Sequence, residues 1–265
     1  MDAPFTFQLI SLGAGGVAPC AQCARVADVP AASREPRKTE AVLAELAEIR
    51  QADVAFGGFE PFAHPDLPRL IAAARDRGAC RLLLQTDGGA LAQGGNAEGA
   101  AAAGVRVFEI VYHAGDEDAD DTCTGRPGLA RARREGIAAL HRVAAQHPDW
   151  HLMICGRATL CRHAGRGAAL TGIAQAAVRD GLDALRIQAR DPGAVPAATQ
   201  LDAAAEILTP SGIWLFGDAC QSLLEGAAPY HLRQEVGGPA AAAPDPGLLP
   251  EPAPSGPLSS LEATS

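Results

Sequence analysis

The chain has 265 residues, 48% of them hydrophobic, and a formal net charge of −9 at pH 7. This length suits one sizeable domain, and α/β barrels commonly form a single unit of this size. The sequence shows no basic stripe interleaved with aromatic residues, which argues against general nucleic-acid binding. Its N-terminal segment lacks the basic region and long apolar core of a signal peptide, and no apolar run is as long as a membrane span. We therefore expect a cytoplasmic protein.

Short apolar runs alternate with helical patterns along the chain. Predicted strands cover residues 5–12, 54–56, 81–85, 105–112, 152–155, 185–188 and 213–216. The first predicted helix begins near residue 39. Further predicted helices cover 67–78, the Ala-rich stretch before the fourth strand, 129–145, 170–178 and 201–208. Such alternation with almost wholly apolar strands indicates a parallel sheet covered by helices, either doubly wound or a barrel. In both architectures functional groups lie at the carboxyl ends of the strands.

The last part of the sequence differs in composition from the rest. From Gly237 onward it is rich in proline, alanine and serine and has no hydrophobic periodicity. Such a segment cannot bury enough apolar surface to offset its loss of conformational entropy. We therefore predict a folded domain over residues 1–236 and a disordered tail over residues 237–265.

Seven cysteines occur, an odd number in a chain that we expect to be cytoplasmic. Metal ligation or buried thiols are then expected rather than a disulfide framework. Cys20 and Cys23 stand apart, because C-x-x-C spacing directly after the first strand lets two thiolates bind one metal ion or one edge of a cluster. A thioredoxin-like redox pair is disfavoured, since Pro30 and a polar stretch delay the next helix to about Thr39.

A glycine-rich turn follows the second predicted strand. Gly57 and Gly58 lack side chains there, so a ligand can approach the backbone. Glu60 is held in place by the following Pro61, and its carboxylate is suited to pairing with a cationic amine. The alternative is an ordinary β–α turn.

Polar side chains also end the next three strands. Gln85, Thr86 and Asp87 follow the third strand, where they suit recognition of hydroxyl groups. His113 follows the fourth strand and is a candidate polar contact to a ligand. Arg157 at the end of the fifth strand is suited to a bidentate pair with a carboxylate. Between His113 and Arg157, the acidic run at 116–121 predicts a loop that faces solvent.

Taken in order, these motifs resemble the radical S-adenosylmethionine (SAM) superfamily over roughly residues 5–216. Residues 56–67 align without gaps to the family's GGEP turn and the following HPDL. Residues 85–88 resemble its Q-T-N-G, and residues 112–128 resemble its S-x-x-G followed by T-G-R-P-G. The resemblance implies an α/β fold, a partial (β/α)6 barrel of the TIM type with parallel strands and outer helices.

In that family, three cysteines after the first strand bind a [4Fe–4S] cluster whose fourth iron binds SAM, and reductive cleavage of SAM yields a radical that abstracts hydrogen from the substrate. The resemblance implies that Cys20 and Cys23 are cluster ligands. It also implies that the GGEP-like turn contacts the methionine amino group of SAM, and that the later strand tips contact its ribose and carboxylate. The implied cofactor-binding residues are Gly57, Gly58, Glu60, Pro61, Gln85, Thr86, Asp87, His113 and Arg157.

The sequence departs from the family pattern at three positions. Gly16 stands where the first cluster cysteine is expected, Phe59 stands at the second glycine of GGEP, and Asp87 replaces an asparagine. Aspartate keeps the hydrogen-bond acceptor of asparagine but loses its donors. Cys123 and Cys161, both predicted in loops on the same face of the barrel, are the candidates for a replacement ligand.

Three interpretations stay open from the sequence. The first is a divergent radical SAM enzyme that modifies a peptide or a small metabolite. The second is a non-catalytic relative that keeps the barrel as a binding or scaffold module, which either presents a substrate or pairs with an active radical SAM protein. The third is an unrelated β/α barrel enzyme, which gains support if the tips that carry Cys20, Glu60 and Thr86 do not converge.

Overall fold

Strands and helices alternate along the chain, as the apolar periodicity predicts. A computed structural model describes residues 5–13, 35–49, 53–160, 168–189, 197–217 and 230–233. The strands are β1 (Phe5–Ser11), β2 (Asp53–Gly57), β3 (Leu82–Thr86), β4 (Val105–Tyr112), β5 (Met153–Leu160), β6 (Ala184–Ala189), β7 (Trp214–Gly217) and β8 (Tyr230–Arg233). The helices are α1 (Thr39–Glu48), α2 (Leu67–Asp76), α3 (Asn96–Ala102), α4 (Glu117–Thr124), α5 (Leu129–Gln146), α6 (Ala168–Arg179) and α7 (Ala198–Leu208). Within the described ranges, no helix has the length and apolar character needed to cross a membrane.

The eight described strands form one parallel sheet in the order β7-β6-β5-β4-β3-β2-β1-β8. Consecutive strands from β1 to β7 are neighbours, which confirms the predicted α/β fold with parallel strands and outer helices. The short strand β8 was not predicted and pairs with β1. Since β7 and β8 lie at opposite ends of the sheet, the barrel is open over the described residues.

The two faces of the sheet carry different side chains, because successive residues of a strand point to opposite sides. Ile10, Phe56 and Leu84 belong to the outer face, which packs with the helices into one large apolar core. The other side, called the inner face below, carries an apolar layer. That layer consists of Phe7, Ala55, Leu83, Val107, Cys155, Ala184 and Phe216. Inner-face residues further along the strands lie above this layer, toward the carboxyl ends.

The fifth strand is longer than the sequence predicts. The apolar pattern predicts an end near Cys155, but β5 continues to Leu160, so Arg157 lies inside the strand and not at its tip. Arg157 and Thr159 belong to the inner-face row, while Ala158 and Leu160 pack into the outer core. A strand with a polar inner face and a small apolar outer face does not give the continuous apolar run on which the prediction relied.

The acidic run is a helix, and the prediction of a solvent-facing loop is wrong. Asp116 caps α4, because its carboxylate accepts a hydrogen bond from the backbone N–H of Ala119 at 3.0 Å. Carboxylates in the first turn are also favoured by the helix dipole. Asp120 of this helix is buried. Cys123 is half-buried within α4, so its predicted placement in a loop is also wrong.

Gly115 and Gly172 bring the segment after β4 into backbone contact with α6. A Cβ atom on Gly115 would lie 1.9 Å from the carbonyl oxygen of Gly172, so no side chain fits without movement of the backbone. We expect Gly115→Ala to lower the free energy of unfolding by about 1–3 kcal/mol or more in denaturant titrations.

The matched control is Gly99→Ala in α3, where a new Cβ meets nothing within 4 Å. Alanine is favoured over glycine inside a helix by about 0.5–1 kcal/mol, so this variant is expected to be as stable as the wild type or more so. Equal effects of the two substitutions would contradict the contact.

Candidate functional site

Glu60 joins the carboxyl ends of β2 and β3. It immediately precedes the short 3₁₀ turn Pro61–Ala63 and accepts a hydrogen bond from the backbone N–H of Phe62 at 3.3 Å. The Thr86 hydroxyl donates to Oε1 at 2.7 Å, and the backbone N–H of Asp87 donates to Oε2 at 2.8 Å. The structure therefore brings three predicted site residues together and fixes the glycine-rich turn against β3.

The Glu60 carboxyl group binds its proton tightly. Burial, and next the negative charge of Asp87, raise the pKa of Glu60 from 4.5 to about 8. The hydrogen bonds from Asp87, Thr86 and Phe62 oppose this shift without cancelling it. Glu60 is consequently protonated for most of the time at neutral pH.

Asp87 links this glutamate to the T-G-R-P-G run. One of its oxygens accepts a hydrogen bond from the backbone N–H of Gly89 at 2.8 Å, and the other forms an ion pair with Arg126. Asp87 is buried, whereas the Arg126 side chain is 55% exposed. The carboxylate that replaces the family's asparagine thus has a cationic partner.

A groove of about 360 Å³ opens beside these charges. Its walls come from the turn after β2, the segment after β3 and the residues before α5. Glu60, Asp87 and Arg126 are its ionisable lining residues, and Phe62 and Leu129 contribute apolar surface. The volume falls within the range of roughly 300–1,000 Å³ that is usual for small-molecule sites.

The two glycines of the turn are required by packing inside the protein. A Cβ atom on Gly57 would lie 2.1 Å from Oε1 of Gln85, and one on Gly58 would lie 2.3 Å from Oγ of Ser11. Gly58 also has a φ of +73°, a conformation that other residues rarely adopt. Gln85 and Ser11 therefore occupy the space that side chains at these positions would need.

A second polar cluster, the Glu109 cluster, lies on the inner face and consists of Gln85, Glu109, Arg157 and Arg186. Nε2 of Gln85 donates to Oε2 of Glu109 at 2.8 Å, and Nη1 of Arg186 donates to Oε1 at 2.6 Å. Nη1 of Arg157 lies 3.5 Å from Oε2. All four side chains are buried, and they come from the four adjacent strands β3 to β6.

The predicted cofactor-binding residues thus form two sets. Gln85 and Thr86 are neighbours in β3, so their side chains point to opposite faces of the sheet. Gln85 joins Arg157 through Glu109, whereas Thr86 joins Glu60 at the rim. The motif order in the sequence predicts one group of strand tips and gives no role to Glu109 or Arg186. Each of the two is a charged residue in the interior of a mostly apolar strand, and this pattern is the signal in the sequence that could have identified them.

His113 is buried directly after β4 and is held by a buried ion pair. The carboxylate of Asp120 accepts the backbone N–H groups of His113 and Ala114 at 2.9 and 3.1 Å. It also forms a buried ion pair with Arg133, whose guanidinium lies over the ring of Tyr112. Burial raises the pKa of Asp120, but the Arg133 contacts and the two backbone N–H groups outweigh it and hold this pKa below its usual range.

Most of the predicted metal ligands lie outside the residues that the structure describes. Cys20, Cys23 and Cys161, as well as Gly16 and the predicted tail, lie outside them. Among the residues that the structure describes, no three histidine, cysteine or acidic side chains form a metal-binding group.

The raised pKa of Glu60 predicts how stability depends on pH. Because the folded state holds this proton more tightly than the unfolded state, the contribution of Glu60 is fully present below pH 4.5 and is lost as the pH rises through about 8. We expect the wild type to lose roughly 2–4 kcal/mol more than Glu60→Gln between about pH 5 and about pH 9, measured by denaturant titration. The amide oxygen of glutamine can accept the backbone N–H of Asp87, and its NH2 group can donate to the hydroxyl of Thr86, but glutamine does not titrate. Parallel pH profiles would therefore contradict the shift.

Removal of the Asp120 carboxylate should destabilise the fold strongly. Asp120→Asn leaves the guanidinium of Arg133 buried without its carboxylate, and we expect a loss of about 3–5 kcal/mol in the free energy of unfolding. The control, Glu135→Gln, breaks the exposed Arg131–Glu135 pair, and a change below about 1 kcal/mol is expected. Similar losses in both variants would show that burial of the pair is unimportant.

Comparisons with known proteins identify the fold. No family model matches the sequence, and no curated protein matches it. SuiB of Streptococcus suis matches with a TM-score of 0.54 and 12% identity, over 82% of this chain and 50% of SuiB. Methylornithine synthase (PylB) matches with a TM-score of 0.54 and 12% identity, over 91% of this chain and 74% of PylB.

A third match is anSMEcpe with bound AdoMet, with a TM-score of 0.51 and 12% identity over 85% of this chain and 68% of that protein. SuiB has also been solved with S-adenosylmethionine and with its precursor peptide SuiA. This chain spans about half the length of SuiB. At such low identity the likeness shows the fold, and the chain has the partial-barrel fold of radical SAM enzymes.

Proposed function

We propose that the chain binds SAM and an iron–sulfur cluster and carries out a radical-based modification of a peptide or a small metabolite. The observation that carries the proposal is the convergence of family-like motifs at the carboxyl ends of the strands. Glu60 meets Thr86 and Asp87 there, and Gln85 meets Arg157 through Glu109. Unrelated motifs that match by coincidence have no reason to make these contacts.

The inner face is the proposed site of SAM. Arg157 supplies a guanidinium for the methionine carboxylate, and His113 and Gln85 supply polar contacts near it. The backbone carbonyl of Gly58 is the proposed acceptor for the amino group, because the carbonyl of Gly57 already accepts the backbone N–H of Leu12 at 2.7 Å. The carboxyl group of Glu60 is engaged by Thr86 and Asp87, so its role in this proposal is to hold the turn in position.

Cys20 and Cys23 are the proposed cluster ligands, with Cys123 or Cys161 as the third. Thiolate sulfur is the usual ligand of iron–sulfur clusters, and C-x-x-C spacing matches two of the three family positions. When bound, the cluster supplies the electron for reductive cleavage of SAM. Neighbours of this fold include proteins solved with S-adenosylmethionine and with a precursor peptide, which supports both the cofactor and the substrate class.

Anaerobic reconstitution tests this function directly. We expect the wild type to retain iron and sulfide and to release 5′-deoxyadenosine from SAM on reduction, and Cys20→Ala and Cys23→Ala to lose both properties. Cys80→Ala is the matched control, because Cys80 is exposed before β3, at the amino end of the sheet. A wild type without cluster and without SAM cleavage refutes the proposal. Loss of iron in Cys123→Ala identifies the third ligand.

A second candidate function is a non-catalytic scaffold that pairs with an active radical SAM protein. The observation in its favour is Gly16, which leaves two of the three cluster cysteines of the motif. In this case Cys20→Ala and Cys23→Ala retain the function, measured as copurification with the active partner. Loss of that association in either variant counts against the scaffold.

A further inference from the structure

The inner face places two arginines side by side. Arg157 of β5 and Arg186 of β6 are direct partners in the register of the two strands. Facing residues of neighbouring strands have Cβ atoms about 5 Å apart, and like charges at such positions repel each other. The two residues are 8% and 3% exposed, so solvent screens this repulsion little.

Glu109 compensates this repulsion from the adjacent strand β4. Its side chain is fully buried, with Oε1 bonded to Arg186 and Oε2 close to Arg157. Oε2 also accepts a hydrogen bond from the side-chain amide of Gln85, which is the register partner of Glu109 in β3. One carboxylate thus sets the positions of three side chains from three other strands.

Stability alone does not explain such a cluster. Well-packed apolar side chains usually stabilise a protein interior at least as well as a buried charged group does. The layer beneath the Glu109 cluster is apolar, which shows that the inner face accommodates apolar residues. The charged cluster instead lies above that layer, toward the carboxyl ends of the strands, where ligands of parallel barrels bind.

A neighbouring hydroxyl group also indicates a ligand. Thr159 follows Arg157 on the inner face of β5 and is only 4% exposed. Its Oγ1 has no hydrogen-bond partner among the described residues. Buried polar atoms without a partner are rare and call for a specific explanation, such as a bound water, ion or ligand that contacts this hydroxyl.

We infer that Glu109 is a positioning residue that holds Arg157 and Arg186 together as a receptor for a ligand carboxylate. Guanidinium groups on two adjacent strands can each donate to one oxygen of a carboxylate, which accepts hydrogen bonds on both oxygens. The inference rests on the proposed function, because that function places SAM on this face. The carboxylate belongs either to SAM or to the substrate, and the experiment separates these sources.

The first experiment measures the binding of SAM and of decarboxylated SAM by calorimetry. Glu109→Gln keeps the shape of the side chain but not its charge. We expect this variant to bind SAM about tenfold more weakly or worse, and decarboxylated SAM as the wild type does. Equal losses for both ligands overturn the inference, because they indicate general damage to the site. If Glu109→Gln binds SAM as the wild type does, the receptor does not bind the SAM carboxylate. The acetate measurement below then decides whether the two arginines bind a carboxylate at all.

Two further variants control for folding and for charge. Glu109→Asp keeps the negative charge but shortens the side chain, so it replaces Glu109→Gln if that variant does not fold, with the same selective loss expected. Glu117→Gln removes the same charge at the exposed ion pair with Arg134. This control is expected to bind both ligands as the wild type does, and a loss there overturns the interpretation.

Nitrogen-15 NMR of the arginine side chains tests the receptor without SAM. Arg157→Lys and Arg186→Lys identify the two Nε–H signals. Acetate is expected to shift both signals in the wild type and neither signal in Glu109→Gln. If the wild type binds no SAM but responds to acetate in this way, the proposed function fails and the receptor stands. No response to acetate in the wild type overturns the inference.

Discussion

A carboxylate that leaves water must be hydrogen-bonded, paired with a cation or protonated, and this constraint organises the carboxyl edge of the sheet. Glu60 meets it through β3 and a raised pKa, and Glu109 through Gln85 and two arginines. Asp120 meets it through Arg133 and the backbone after β4. Each solution joins elements that are distant in sequence, so the same contacts that satisfy the charges also fix the strand tips relative to one another.

The two-residue period of a strand gives this edge two faces with different contacts. Thr86 points to the rim, where it meets Glu60, and Gln85 points inward, where it meets Glu109. The polar groups of the rim hold the loops and line a groove, whereas the inner cluster presents guanidinium groups. A ligand on the inner face therefore binds to positions that the rim contacts keep in place from the other side of the sheet.

The hydrophobic pattern of the sequence was sufficient to predict the bounds of elements whose residues are almost all buried. The strand predicted at 105–112 matches β4, because its apolar run stops where the strand stops. The pattern was insufficient where several polar residues lie close together in an element: Arg157 and Thr159 concealed the second half of β5, and the acidic run concealed α4. Spacing along the chain also does not show which tips meet, and for that reason Glu109 and Arg186 were identified only from contacts between strands.

The protonated state of Glu60 has a consequence for thermodynamic measurements on the rim groove. A cationic group that enters the groove favours the ionised carboxylate, so its binding releases a proton from Glu60 to the buffer. The heat observed in calorimetry then includes the ionisation enthalpy of that buffer. Titrations in buffers of different ionisation enthalpy therefore distinguish a cationic ligand that ionises Glu60 from a ligand that leaves Glu60 protonated.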